Sequence, residues 1–159
     1  IRDHYDADLR FENAGTLVAR LLLEDTRHEM LAVTEGRAAW EYQWAPGTIE
    51  SSVTAIRLGT ILSRRFALGV PRALLAHRDN ALRYHQDTRQ PYPCANLTLV
   101  FAHGCTGGEL LFPTRGLAFA CQDAWALAFD GQELHGVAPL RLAKGGYRVA
   151  VTFYCPSGA

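Results

Sequence analysis

From Pro71 onward the chain breaks into short apolar runs separated by glycine, proline and polar clusters, and this rhythm restricts its fold more than any other feature. Residues 72–76 and 81–85 flank the polar break His77-Arg78-Asp79-Asn80, the layout of a hairpin with a four-residue connection. A loop with Pro91 and Pro93 leads to a clear strand at 96–101. Thr106-Gly107-Gly108 then marks a turn before a run at 109–112 that stops at Pro113. Further runs at 116–120, 124–129, 134–137 and 147–154 complete the series. Short strands at this spacing, preceded by helices, predict an α+β chain. Its core is expected to be a double-stranded β-helix (jelly-roll, cupin-like), with N-terminal helices packed on one sheet.

The 159 residues predict a single domain. Residues 1–70 read as a mainly helical support region and 71–155 as the jelly-roll core. After a polar start at 1–10, Leu17, Leu21, Met30 and Leu31 fall near helical spacing. Asn13 is a plausible N-cap, and the helix runs to about Val33. Residues 35–47 are Trp-rich and end at Pro46-Gly47, a loop or short strand followed by a turn. Residues 51–66 fit helix or strand, with helix favoured. A chain that begins at Ile1 is expected to belong to a longer protein.

No apolar run approaches the roughly 20 residues of a membrane span, and no signal peptide is recognisable. Cys94, Cys105, Cys121 and Cys155 form no CxxC pair, which favours reduced thiols and an intracellular protein. A zinc site from Cys94, His103 and Cys105 is conceivable but poorly spaced. Net charge is zero, yet residues 1–50 carry ten acidic and five basic side chains. Residues 57–89 carry seven arginines against Asp79 and Asp87. That local excess would suit phosphates, or simply solvated faces.

Two His-x-Asp triplets stand out. In a strand, alternate side chains share a face, so His85 and Asp87, at the end of an apolar run, would converge as half of a divalent-metal site. His77-Arg78-Asp79 is expected on the turn, facing solvent. Its kinase-like reading fails, because the required downstream asparagine is Tyr84. Of the other histidines, His4 and His28 lie in the polar start and first helix, and His103 is expected in a loop after a strand. His135, in Leu134-His135-Gly136-Val137, lies where a jelly roll brings a late strand beside an early one.

In the last strand Val149, Val151 and Phe153 share one face, leaving Arg148, Ala150 and Thr152 on the other. A guanidinium among buried residues is costly unless it meets an anion, either an internal carboxylate or a ligand. Its fork suits a carboxylate. Two histidines and an aspartate leave three positions open on octahedral Fe(II). A keto acid would fill two of these and dioxygen the third, with its far carboxylate on Arg148.

His85-x-Asp87, Gly107-Gly108-Glu109-Leu110, His135-Gly136-Val137-x-Pro139 and Arg148 together resemble the 2-oxoglutarate/Fe(II)-dependent dioxygenase superfamily, over roughly residues 72–154. The stretch from Thr106 to Pro113 and the His-Gly-Val-x-Pro segment look most like the TET/JBP group, which oxidises the methyl of 5-methylcytosine or thymine in DNA. Prolyl hydroxylase-like members share the same Gly-Gly and His-x-Val patterns. The resemblance implies that His85, Asp87 and His135 hold Fe(II) and that Arg148 binds 2-oxoglutarate, which is decarboxylated to succinate as a substrate C–H is hydroxylated. Where the superfamily often has Ser or Thr two residues after the arginine, this chain has Ala150. Thr152 is the next polar residue on that face, and ascorbate is an alternative reductant or co-substrate.

A DNA substrate implies a flipped base, phosphate contacts from arginines between 57 and 89, stacking by Tyr92 or Trp125, and a nuclear location in a eukaryote. The competing readings are the same chemistry on a protein side chain or small molecule, and a non-catalytic jelly-roll binding module.

Overall fold

The computed structural model describes residues 9–44, 53–87 and 94–156. The chain order is β1 (Arg10–Asn13), a 3-10 turn, α1 (Arg20–Val33), β2 (Ala39–Gln43), α2 (Val53–Arg65), β3 (Ala73–Arg78) and β4 (Leu82–His85). There follow β5 (Cys94–Gly107), β6 (Leu110–Phe112), β7 (Leu117–Phe119), β8 (Trp125–Asp130), β9 (His135–Val137) and β10 (Leu140–Pro156). A six-stranded sheet runs β1-β8-β5-β10-β3-β2 and a four-stranded sheet runs β4-β9-β6-β7. All the pairings are antiparallel.

Strand alternation divides the core into two parts. On β10, Val149, Val151 and Phe153 turn towards the helices, where they join Leu97, Leu99 and Phe101 of β5 with Met30, Leu58 and Leu62. On β8, Ala126 and Ala128 face the same layer, while Leu127 and Phe129 point the other way to meet Leu110, Phe112 and Val137 of the smaller sheet. The helices therefore cover one face of the large sheet and leave its other face to the smaller one. Arg27 ties α1 to the strands: its guanidinium donates to both oxygens of Asp123, at 2.7 and 2.9 Å, and lies over the Phe101 ring.

Gly59 sits in mid-helix because Phe153 needs the space: a Cβ there would come within 2.5 Å of the buried ring. In an open helix Gly→Ala gains about 1 kcal/mol, whereas overpacking a rigid core costs about 1–3 kcal/mol. Gly59→Ala is therefore expected to lower the melting temperature by a few degrees, measured by thermal unfolding.

Several expectations need correction. Residues 73–85 form no hairpin: β3 lies between β10 and β2, while β4 pairs with β9 in the other sheet. The polar break is a crossing, pinned where the Asp79 N–H donates to the Arg148 carbonyl and the Asp79 carboxylate accepts from the Arg148 N–H, both at 2.8 Å. A short polar interruption reads alike for either connection. Asn13 caps the 3-10 turn by accepting from the Gly15 N–H, and α1 starts only at Arg20. Its preceding residues form β1, which pairs with β8. His103 lies within β5, and residues 53–65 are the favoured helix. The expected turn at Pro46-Gly47 and the loop with Pro91 and Pro93 lie outside the described residues. Among the described residues no helix is long and apolar enough to cross a membrane.

Candidate metal centre and anion pocket

The centre forms where β4 meets β9, because strand register makes His85 and His135 direct partners. Their rings stand 4.4 Å apart. Just past the end of β4, the Asp87 N–H donates to the Gly131 carbonyl at 2.8 Å, which swings its carboxylate back towards the histidines. The ligand atoms of His85, Asp87 and His135 all lie within 4.8 Å of one another, and these three form the one such group among the described residues. Cys94, His103 and Cys105 do not gather, so that zinc site is absent there.

Each histidine is oriented through its other nitrogen. Nδ1 of His85 meets the Arg83 carbonyl at 2.7 Å, and Nδ1 of His135 meets the Glu133 carbonyl at 2.7 Å. A carbonyl accepts only, so Nδ1 carries the proton and Nε2 offers its lone pair to the centre. His85 Nε2 lies 3.3 Å from one Asp87 oxygen, and His135 Nε2 lies 3.7 Å from the other. This donor set, two imidazole nitrogens and a carboxylate, suits a divalent first-row metal such as Fe(II).

Electrostatics separates the two histidines. The hydrogen bond to Asp87 raises the pKa of His85 above its ordinary value, against the opposing effect of burial. Burial lowers that of His135. Burial alone would raise Asp87, but the bond to His85, the charge of His135 and the Asn96 amide together leave it below the usual carboxylate range. A metal must displace any proton on a ligand. As pH falls from neutral, His85 is the first ligand to take one, while His135 and Asp87 remain free. Divalent-metal affinity is therefore expected to fall on mild acidification with a slope near one proton per metal rather than two, as read from Mn(II) titrations at stepped pH.

The triad opens onto a cavity of about 350 Å³, within the range of small-ligand sites. Leu110, Phe129 and Val137 form part of an apolar wall, and Arg148, Ala150, Thr152, Thr98 and His77 contribute another. Arg148 is 1% exposed and its Nε has no hydrogen-bond partner. No carboxylate forms an ion pair with its side chain among the described residues, which leaves the ligand, of the two anions considered for it, as the one that fits. Gly108 explains the Gly-Gly turn: a Cβ on it would lie 2.9 Å from Cδ of Arg148 and 3.0 Å from Nε. A buried guanidinium with no ion pair among the described residues, lining the same cavity as a metal-ligand triad, fits a chelating acid that carries a second carboxylate.

Thr152 lies on the cavity wall, its hydroxyl 2.8 Å from that of Thr98. His77 belongs to β3 and not to a turn. It is half-buried, lines the cavity and sits opposite Ala150 in register. The alternation of Leu75 and His77 against Leu74 and Ala76 carried that signal, as did Asn96 and Thr98 against Leu97 and Leu99. Trp125 packs on Phe11, with ring centroids 4.7 Å apart, rather than lining the cavity. Tyr92 and Arg89 lie outside the described residues. Among the described residues these arginines do not form one patch: Arg64 and Arg65 end α2 on the helical layer, Arg78 donates to the Leu31 carbonyl, and Arg83 reaches the cavity.

No family model and no curated protein matches the sequence. Solved structures do match its fold. NgTET1 in complex with 5mC DNA superposes with a TM-score of 0.64 at 12% identity, covering 94% of this chain and 72% of that one. A Pseudomonas putida prolyl-4-hydroxylase gives 0.64 at 15% identity, covering 94% and 92%. The viral collagen prolyl hydroxylase of Paramecium Bursaria Chlorella virus-1, in its 2OG complex, gives 0.59 at 13% identity, covering 93% and 95%. The chain has the fold of the 2-oxoglutarate/Fe(II) oxygenases. Within that double-stranded β-helix, the His-Asp-His cluster and Arg148 occupy one cavity between the sheets.

Proposed function

We propose that the chain is a 2-oxoglutarate/Fe(II)-dependent dioxygenase that hydroxylates the methyl group of 5-methylcytosine, or of thymine, in DNA. The observation that carries the oxygenase reading is a single cavity lined by both the His85–Asp87–His135 cluster and the buried Arg148, which has no ion pair among the described residues. His85, Asp87 and His135 would hold Fe(II), and Arg148 would pair with the far carboxylate of 2-oxoglutarate. When bound, Fe(II) and 2-oxoglutarate supply the oxidation of a C–H bond by dioxygen, with release of succinate and carbon dioxide. The protein's part is to position the reactants and exclude water. Leu110, Phe129 and Val137 keep the cavity wall apolar, and the carbonyls of Arg83 and Glu133 hold the imidazoles in the ligating tautomer.

Two observations support a DNA base as substrate. NgTET1 was solved with 5mC DNA and shares the fold, and Arg83 brings to the cavity a cation with no carboxylate partner among the described residues. In a eukaryote this substrate would place the protein in the nucleus. A second reading, hydroxylation of a protein side chain, is favoured by the prolyl hydroxylases of the same fold and by the placement of Arg64 and Arg65 on the helical layer rather than at the cavity.

Turnover of 2-oxoglutarate to succinate, measured with methylated DNA, unmethylated DNA and a proline-rich peptide, separates the readings. Stimulation by methylated DNA is expected. Stimulation by the peptide alone would reject DNA.

A further inference from the structure

Asn96 is wholly buried on β5, in a run where Ala95, Leu97 and Leu99 are also fully buried. Its amide Nδ2 donates to Asp87 Oδ2, the carboxylate oxygen that faces His135. Its Oδ1 has no hydrogen-bond partner. A buried amide with half of its capacity unused is a costly filler for a strand, so the contact it does make is the informative one. The surroundings are shaped to hold it there. Gly131 leaves room for the amide, since a Cβ on it would lie 2.7 Å from Asn96 Oδ1. The carbonyl of that same Gly131 accepts the Asp87 N–H at 2.8 Å. One residue thus fixes the ligand's backbone and admits the side chain that grips its carboxylate.

We propose that Asn96 is the positioning residue of the metal centre, committing Asp87 Oδ2 so that the carboxylate ligates through Oδ1 alone. The inference rests on the metal reading above and adds a reason for it. A carboxylate free to rotate can chelate through both oxygens and occupy a position that the co-substrate or dioxygen needs. An amide donor on Oδ2 uses lone-pair capacity of that oxygen and fixes the carboxylate plane. The donor set then keeps three positions open.

The test compares the wild-type chain with Asn96→Ala and Gly131→Ala, the second disturbing the amide without removing it. Leu97→Val, on the helix-facing side of the same strand, is the control for simple loss of stability. Mn(II) affinity is read first. The anaerobic Fe(II)–2-oxoglutarate absorption is then recorded at saturating metal. Both site variants are expected to bind Mn(II) about 10-fold or more weakly and to shift or weaken the visible band even when fully loaded. Leu97→Val is expected to change neither. Site variants that bind Mn(II) within about twofold of wild type, or that show the wild-type band at saturation, would overturn the assignment. Should Asn96→Ala not fold, Gly131→Ala decides by the same two readouts. A wild-type chain that binds no divalent metal would overturn the metal reading itself, and this inference with it.

Discussion

Asp87→Ala is expected to abolish high-affinity divalent-metal binding while leaving a folded chain. Asp87 is the one anionic ligand in the cluster and is held below the usual carboxylate range, so it is charged whenever a metal is present. Without it, two imidazoles remain on adjacent strands with nothing to offset the metal's charge. The variant has a second signature that needs no metal. The Asp87 hydrogen bond is the largest cause of the raised pKa of His85, so His85 should titrate lower in the variant, as followed by proton NMR of the ring. Mn(II) binding followed by EPR checks the first outcome. Binding retained near the wild-type level would show that these three side chains are not the metal site.

Arg148→Met is expected to weaken 2-oxoglutarate binding by about 100-fold or more, with metal binding unchanged. Hydrogen bonds to charged groups contribute about 1.5–3 kcal/mol each, and 1.4 kcal/mol is a factor of ten. Loss of a bidentate carboxylate pair therefore costs at least two orders of magnitude. The same substitution should have the opposite sign for the ligand-free fold. Arg148 is 1% exposed with an unpartnered Nε and no ion pair to its side chain among the described residues. An apolar side chain of similar length then removes a desolvation cost. The ligand-free melting temperature should hold or rise, while stabilisation by added 2-oxoglutarate disappears. Isothermal titration and thermal unfolding with and without the acid give both numbers. A large loss of ligand-free stability would mean that Arg148 serves the fold and not a ligand.

The strands of the core were legible because each sheet has one face towards apolar side chains, so alternation survives in the sequence. That is why alternation alone separates Val149, Val151 and Phe153 from Arg148, Ala150 and Thr152. His85 and Asp87 were legible for the same reason, as polar side chains at the end of an apolar run, whereas His135 stood out through Arg148 and the resemblance of its His-Gly-Val-x-Pro segment. Connectivity was not. The break after β3 is closed by two hydrogen bonds between Asp79 and Arg148, 69 residues apart, and nothing local distinguishes that crossing from a hairpin. The error moved His77 from the cavity wall to a turn. Asn96 was missed because its role depends on Gly131, which meets it only through the pairing of β5 with β8. The arginine excess left two readings open because neighbours in the sequence need not be neighbours in space: among the described arginines, Arg64 and Arg65 end α2 while Arg83 lines the cavity.

The central claim is that one cavity brings a three-ligand metal centre together with an arginine for the far carboxylate of a keto acid. Anaerobic addition of Fe(II) and 2-oxoglutarate to the intact protein tests it most directly. A visible metal-to-ligand charge-transfer band, present with 2-oxoglutarate and absent with succinate, is the predicted result. Metal binding confirmed independently, with no such band at saturating 2-oxoglutarate, would contradict it.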